Sequence, residues 1–188
     1  MILSDSDIER LLRIGVLRID GLRENAIQPA SVDLTLGEGF LIPVTSGDPF
    51  ADLDTPRELE DIAMVASPFV DNLVLPSHGF ALGTTDEVVG LPSHIGAQID
   101  GRSSTGRCGI TVHITAGWID PGFEGQITLE LVNHNPYPVI LRAGRSICQL
   151  KFMPTFTPSR RPYGDESRRS RYQHQRGVTA ARPKAGIP

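Results

Sequence analysis

Residues 101–130 read GRSSTGRCGITVHITAGWIDPGFEGQITLE, short runs of aliphatic and β-branched residues punctuated by glycine turns. Arg102, Ser103, Ser104 and Arg107 share a Gly-bounded segment that offers guanidinium forks, hydroxyls and close backbone N–H groups, the donor set a polyphosphate requires. Asp120 follows in the turn Ile119-Asp120-Pro121-Gly122. Glu130 then falls inside the apolar run Gln126–Val132, where a carboxylate is unfavourable unless it has a partner or a task. Alternation along that run sets Thr128, Glu130 and Val132 on the face opposite Ile127, Leu129 and Leu131. This leaves Glu130 either on a solvated edge or aimed into a site.

The same period-two pattern recurs on both sides of this stretch. Val32–Leu36 alternates and ends at Gly37, and Phe40–Val44 follows with Pro43 demoting it to an edge or a bulge. Further short runs are Leu73–Leu75, Phe80–Thr84, Ile95–Ile99, Ile110–Ile114, Val139–Leu141 and Ile147–Phe152. Regular short strands separated by turn residues predict a mainly β barrel or sandwich. Ser4 caps one short N-terminal helix, with Asp7 at the capping-box position and Ile8, Leu11 and Leu12 on its apolar face. Residues 46–68, rich in Asp, Pro and Glu, read as a long excursion with a helical turn near 57–62.

The chain's 188 residues fit one domain with a tail. Cys108 and Cys148 have no CxxC spacing and form no disulfide framework, so a reducing, cytoplasmic location is expected, with Cys108 read as a small buried hydrophobe. No run is long and apolar enough to span a membrane, and no signal peptide opens the chain. From Ser159 onward eight Arg and Lys face two Asp and Glu, so the tail carries +6 and the remainder −10 of the net −4. That polarity fits a solvated terminus, a nucleic-acid arm or a lid over an anionic substrate. Tyr163 and Tyr172 favour the lid, and without an aromatic platform in the body no nucleic-acid partner is expected.

The block at 101–130, together with QPASVDLTLG at 28–37 and RYQHQRG at 171–177, resembles the signature of the dCTP deaminase family, trimeric relatives of dUTPase. The resemblance covers nearly the whole chain. It implies a dUTPase-like distorted jelly roll over residues 1–158, a basic tail over 159–188 that closes on the active site, and a homotrimer with sites at subunit interfaces. It also implies Glu130 as the base that relays protons between water and cytosine. Arg107, Ser103 and a carbonyl near Ala116 would position the attacking water. Arg102, Ser103, Ser104 and Arg171 would contact the phosphates, with Arg171 where the family usually has lysine. Trp118, Thr128, Gln149, Tyr163, Tyr172 and Gln175 would complete the nucleotide site. Mg²⁺ would come with the triphosphate, held mainly by phosphate oxygens and water, and dUTP and dTTP are further ligands the resemblance allows.

Most nucleobase deaminases activate water on zinc through H-x-E and P-C-x-x-C elements. Neither is present, and His78, His94, His113, His134 and His174 are scattered, so no zinc is expected. Family members that only deaminate tend to carry His-Arg where this chain has Gly117-Trp118, and those that also cleave the triphosphate tend to carry Gly and an aromatic. The resemblance therefore favours a dUMP-forming enzyme in which Asp120 activates a second water. Asp120 as a plain turn former remains open. So do an enzyme releasing dUTP, a plain dUTPase, and a non-catalytic nucleotide-binding protein.

Overall fold

The Ser4 hydroxyl accepts from the Asp7 amide and the Asp7 carboxylate accepts from the Ser4 amide, each at 3.3 Å. The capping box thus forms with aspartate, and α1 (Asp5–Arg13) buries Ile8 and rests Leu11 and Leu12 against the core. The computed structural model describes residues 1–44, 64–67 and 71–182. Beyond α1 it is mainly β, as the alternation predicts.

One sheet runs β5 (Met64–Ala66), β4 (Leu41–Pro43), β7 (Phe80–Gly90), β11 (Glu124–Asn133) and β9 (Ile110–Thr111), with β1 (Arg18–Asp20) pairing the end of β7. The other runs β10 (Trp118–Ile119), β8 (Ile95–Gly101), β13 (Ser146–Pro154), β3 (Ser31–Thr35) and β2 (Ile27–Gln28). A separate ribbon pairs β12 (Val139–Arg142) with β6 (Asn72–Leu75). These pairings are antiparallel. Leu129 and Leu131 of β11 and Ala81 and Val89 of β7 join Val32, Leu34, Leu150 and Phe152 in one core, each of them fully buried.

Several elements depart from the sequence expectation. The apolar run at Phe80–Thr84 continues through polar residues to Gly90, because β7 bulges between its pairings to Gln126 and Thr128. The Thr85 hydroxyl satisfies the Ile127 amide there at 2.9 Å, and the irregularity turns Glu87 wholly inward. Its Oε2 accepts the Thr35 amide at 2.9 Å, beside a second register shift between Ser146 and Cys148 on β13. The strand expected at Ile110–Ile114 stops at Thr111, and residues 103–107 form a short helix, α2 (Ser103–Arg107), in place of a loop. Cys108 is exposed at the end of α2, against the expectation of burial, whereas Cys148 is buried. The strand expected at an edge because of Pro43 instead lies inside the sheet, β4 pairing β5 on one side and β7 at Leu41 on the other, and β5 takes the outer position. The helical turn expected near 57–62 lies outside the described residues.

Candidate active site

β11 follows strict alternation: Gly125, Ile127, Leu129, Leu131 and Asn133 are buried, while Gln126, Thr128, Glu130 and Val132 lie on the opposite, half-buried face. Glu130 is therefore mid-strand in a sheet interior, between β7 and the segment that follows β9, and its amide bonds to the Val112 carbonyl at 2.9 Å. Beyond Val112 the chain leaves the sheet and crosses Glu130, whose Oε2 accepts the Ile114 amide at 2.6 Å. That charge-assisted bond anchors one carboxylate oxygen. The other has no hydrogen-bond partner among the described residues.

The crossing segment is held by close packing. The Gly117 carbonyl accepts the Ile99 amide at 2.8 Å, and a Cβ there would come within 2.8 Å of Gln98 Nε2 and 2.9 Å of His113 Cε1. A side chain at 117 would thus have to displace the Gln98 and His113 side chains and press on the Ile99 carbonyl oxygen at 3.1 Å. A side chain at Gly96 would likewise run into the Trp118 indole, which lies over it half-exposed and donates from Nε1 to Asp120 Oδ1 at 3.2 Å. The Asp120 carbonyl accepts the Phe123 amide at 3.2 Å, so Asp120 organises its turn through the backbone and keeps its carboxylate at the surface.

Glu130, Thr128, Ala116, Trp118 and Asp120 line one cleft of about 720 Å³, with Phe80, Leu82, Phe123 and Ile127 as apolar walls. This volume suits a nucleotide-sized ligand. The tail supplies the remaining wall through Tyr163, Tyr172 and Gln175. Tyr163 packs on Phe123 with ring centroids 5.8 Å apart, and its hydroxyl accepts the Tyr172 amide at 3.0 Å. His174 donates to the Glu124 carbonyl at 2.7 Å, and Gln175 exchanges bonds with the Gln126 backbone. Gln175 Oε1 is buried without a partner among the described residues. Two glycines make this seat. A Cβ on Gly122 (φ +92°) would lie 2.6 Å from Pro162 Cβ and 2.7 Å from the Tyr163 carbonyl oxygen, and one on Gly125 would press on Gln175 at 3.2 Å.

The other sequence candidates lie elsewhere. Ser103, Ser104 and Arg107 are exposed on α2 and do not line the cleft. Arg102, at the start of α2, is tied to Asp33 Oδ2 at 3.1 Å. Gln149 sits mid-strand on β13 between Asp33 and Asp100, also away from the cleft, and Arg171 is exposed. The Arg107 side chain makes no hydrogen bond or ion pair among the described residues. One chain thus gathers the proposed base, the Asp120 turn and the tail residues, but leaves the arginine–serine segment on a separate surface.

Burial raises the Asp33 carboxyl above its ordinary pKa, outweighing the opposing pull of Arg102. Burial raises Glu87 too, against its bond from the Thr35 amide. At the tail seat the Arg18 guanidinium lowers Glu124, which it meets at 2.5 Å. Sequence reasoning passed over Asp33, Glu87, Gly122, Gly125 and the apolar walls at Phe80 and Phe123. Asp33 alone gave a signal, as a carboxylate between Val32 and Leu34 in an alternating run. Among the described residues no three His, Cys, Asp or Glu side chains gather as a metal-holding group. No helix among them is long and apolar enough to cross a membrane.

A family model described as dCTP deaminase-like matches residues 2–155. A protein from Methanobrevibacter smithii named "dCTP deaminase, dUMP-forming" is 43% identical, over 97% of this chain and 95% of that protein. One of the same name from Dictyoglomus thermophilum is 46% identical over 97% and 94%. Among solved structures, a 2'-deoxycytidine 5'-triphosphate deaminase from Agrobacterium tumefaciens is similar at 25% identity and a TM-score of 0.59. The match covers 80% of this chain and 47% of that one, so this chain spans about half the length of that structure.

Proposed function

The chain belongs to the dCTP deaminase-like family, and from that premise we propose that it converts dCTP to dUMP in two hydrolytic steps. In the first, water adds to C4 of cytosine and ammonia leaves, giving the uracil nucleotide. In the second, water attacks the α-phosphorus and diphosphate leaves. The relatives at 43% and 46% identity carry the dUMP-forming name, and the Gly117-Trp118 pair supports the same outcome.

The observation that carries this reading is the Glu130 carboxylate, pinned by the Ile114 amide at 2.6 Å on one oxygen and open on the other, within the cleft. Such a group is oriented before substrate arrives. It takes one proton from the attacking water and delivers it to N3, then carries the second from the C4 hydroxyl to the amine, which departs as ammonia. Thr128 and Gln175 sit beside it to meet the nucleotide, and Phe123 with Tyr163 provides an apolar surface for the sugar and base. Asp120 activates the second water, its orientation fixed by the Trp118 indole.

Arg102, Ser103, Ser104 and Arg107 bind the phosphates, and Ser103 and Arg107 position the first water. Because they lie outside the cleft of their own protomer, this reading requires a second copy to present them, as a homotrimer with sites between subunits would. The tail from residue 159 serves as the lid, with Arg171 reaching the phosphates. The substrate is dCTP with its Mg²⁺, which neutralises phosphate charge. That ion would be held mainly by phosphate oxygens and water. The absence of the zinc-deaminase signature supports a zinc-independent reaction, and the cysteine usage supports a cytoplasmic enzyme.

The test is to incubate purified protein with dCTP and Mg²⁺ and to resolve the products over time. Ammonia, dUMP and diphosphate in equal amounts are expected. Stoichiometric dUTP would reduce the function to deamination, and an inert dCTP would refute it.

A further inference from the structure

The 28–37 segment places Asp33 on β3, a strand whose residues are all buried. Asp33 is 8% exposed, and its carboxylate meets Arg102 NH2 at 3.1 Å. The neighbouring register shift on β13 supplies further anchors. The Ser146 carbonyl accepts from Arg102 NH1 and the Ile147 carbonyl from the Arg102 amide, both at 3.4 Å. On the other side, Glu87 fixes β3 two residues along through the Thr35 amide. Arg102 is therefore clamped at its backbone and at both guanidinium termini, whereas the Arg107 side chain, five residues on, has no partner among the described residues.

An arginine has five N–H donors in a rigid fork. With two guanidinium contacts directed inward, the others remain for a ligand. The exposures set the direction: the Arg102 side chain is 36% exposed and that of Asp33 9%. The guanidinium thus stands between the buried carboxylate and solvent, which also moderates the repulsion Asp33 exerts on an incoming anion.

We infer that Asp33 is a positioning residue for the phosphate subsite, holding the Arg102 fork in its ligand-ready orientation before the nucleotide binds. This rests on the proposed role of Arg102 as a phosphate contact. A free arginine loses its rotamer freedom on binding, and fixing it in advance is equivalent to about 10- to 30-fold in affinity. Asp33 acts through Arg102 and does not line the cleft that holds Glu130, so its loss is expected in the affinity for the phosphate chain and not in the chemical step.

The experiment is calorimetric titration of the full chain with inorganic tripolyphosphate and, separately, with deoxycytidine. It compares the unmodified protein with Asp33→Asn and Asp33→Glu and includes thermal midpoints and dCTP kinetics. The first variant removes the charge at constant shape, and the second keeps the charge but moves it by one methylene. Both should weaken tripolyphosphate about 10-fold, leave deoxycytidine within about 2-fold, and raise KM for dCTP with kcat nearly unchanged. Either variant alone suffices if the other does not fold. Equal weakening of both probes would make Asp33 merely structural, and tighter tripolyphosphate binding would make it an electrostatic opponent; each overturns the proposal. An unmodified protein that ignores tripolyphosphate would refute the phosphate role of Arg102 itself, whereas normal binding with unshifted variants would refute only the role of Asp33.

Discussion

Replacing Gly122 by alanine should undock the tail while sparing the barrel. The added Cβ would sit 2.6 Å from Pro162 Cβ, 2.7 Å from the Tyr163 carbonyl oxygen and 3.0 Å from the Tyr163 amide nitrogen. All three atoms belong to the tail, so the tail is what must yield. At φ +92° the alanine also carries left-handed strain of about 1–2 kcal/mol. Overpacking adds about 1–3 kcal/mol if the tail stays in place. The docking bonds opposing this include Tyr163 to Pro121 at 2.8 Å, His174 to Glu124 at 2.7 Å and Gly177 to Gln126 Oε1 at 2.6 Å. Each contributes a net ~0.5–1.5 kcal/mol, and together they must also offset the entropy of ordering the tail. A perturbation of roughly 2–5 kcal/mol therefore shifts the docked population by about 30-fold or more. Amide hydrogen exchange reads it directly. Gln126, which donates to the Gln175 carbonyl, and His174 and Gly177 should lose protection, while Leu129 and Leu131 keep theirs. The thermal midpoint should fall by roughly 2–8 °C from the backbone strain, and KM for dCTP should rise about 10-fold or more. Unchanged protection at Gln126 and His174 would refute the reasoning.

Glu130→Gln keeps an acceptor for the Ile114 amide but cannot carry a proton, so ammonia release should fall at least ~100-fold with dCTP affinity retained; a rate within about threefold of normal would remove Glu130 from the chemistry. Asp120→Asn should make dUTP accumulate while ammonia release continues, and a joint loss of both steps would return Asp120 to turn formation. Glu87, buried and raised above its ordinary 4.5, binds its proton more tightly folded than unfolded. Its contribution to stability is complete below pH 4.5 and is lost as pH rises through the raised value. Glu87→Gln should therefore gain stability relative to the parent as pH climbs above 4.5 and through the raised value in urea titrations, and parallel curves would exclude this.

What the sequence reveals and what it hides divides along one physical line. β11 is legible because a buried face every second residue is a local property, and Ile127-Leu129-Leu131 display it without help from the rest of the chain. The opposite face of Thr128 and Glu130 follows, but alternation alone leaves it on a solvated edge or in a site, and only the family resemblance names those two residues for the site beforehand. The extension of β7 is hidden because Thr85 and Glu87 find their partners at Ile127 and Thr35, about 40 and 50 residues away, and look like loop residues on their own. Gly122 can be recognised as a turn glycine, yet the absence of room for a side chain is imposed by Pro162 and Tyr163, far along the chain. The same reasoning separates the two arginines proposed to meet the phosphates. In sequence Arg102 and Arg107 are equivalent cations five residues apart. In the fold, a displaced register on β13 and a buried carboxylate on β3 hold one, and the other stands exposed at the end of α2. In the proposed phosphate site the first is a held contact and the second an exposed one, a division that follows from strand pairing and that composition cannot encode.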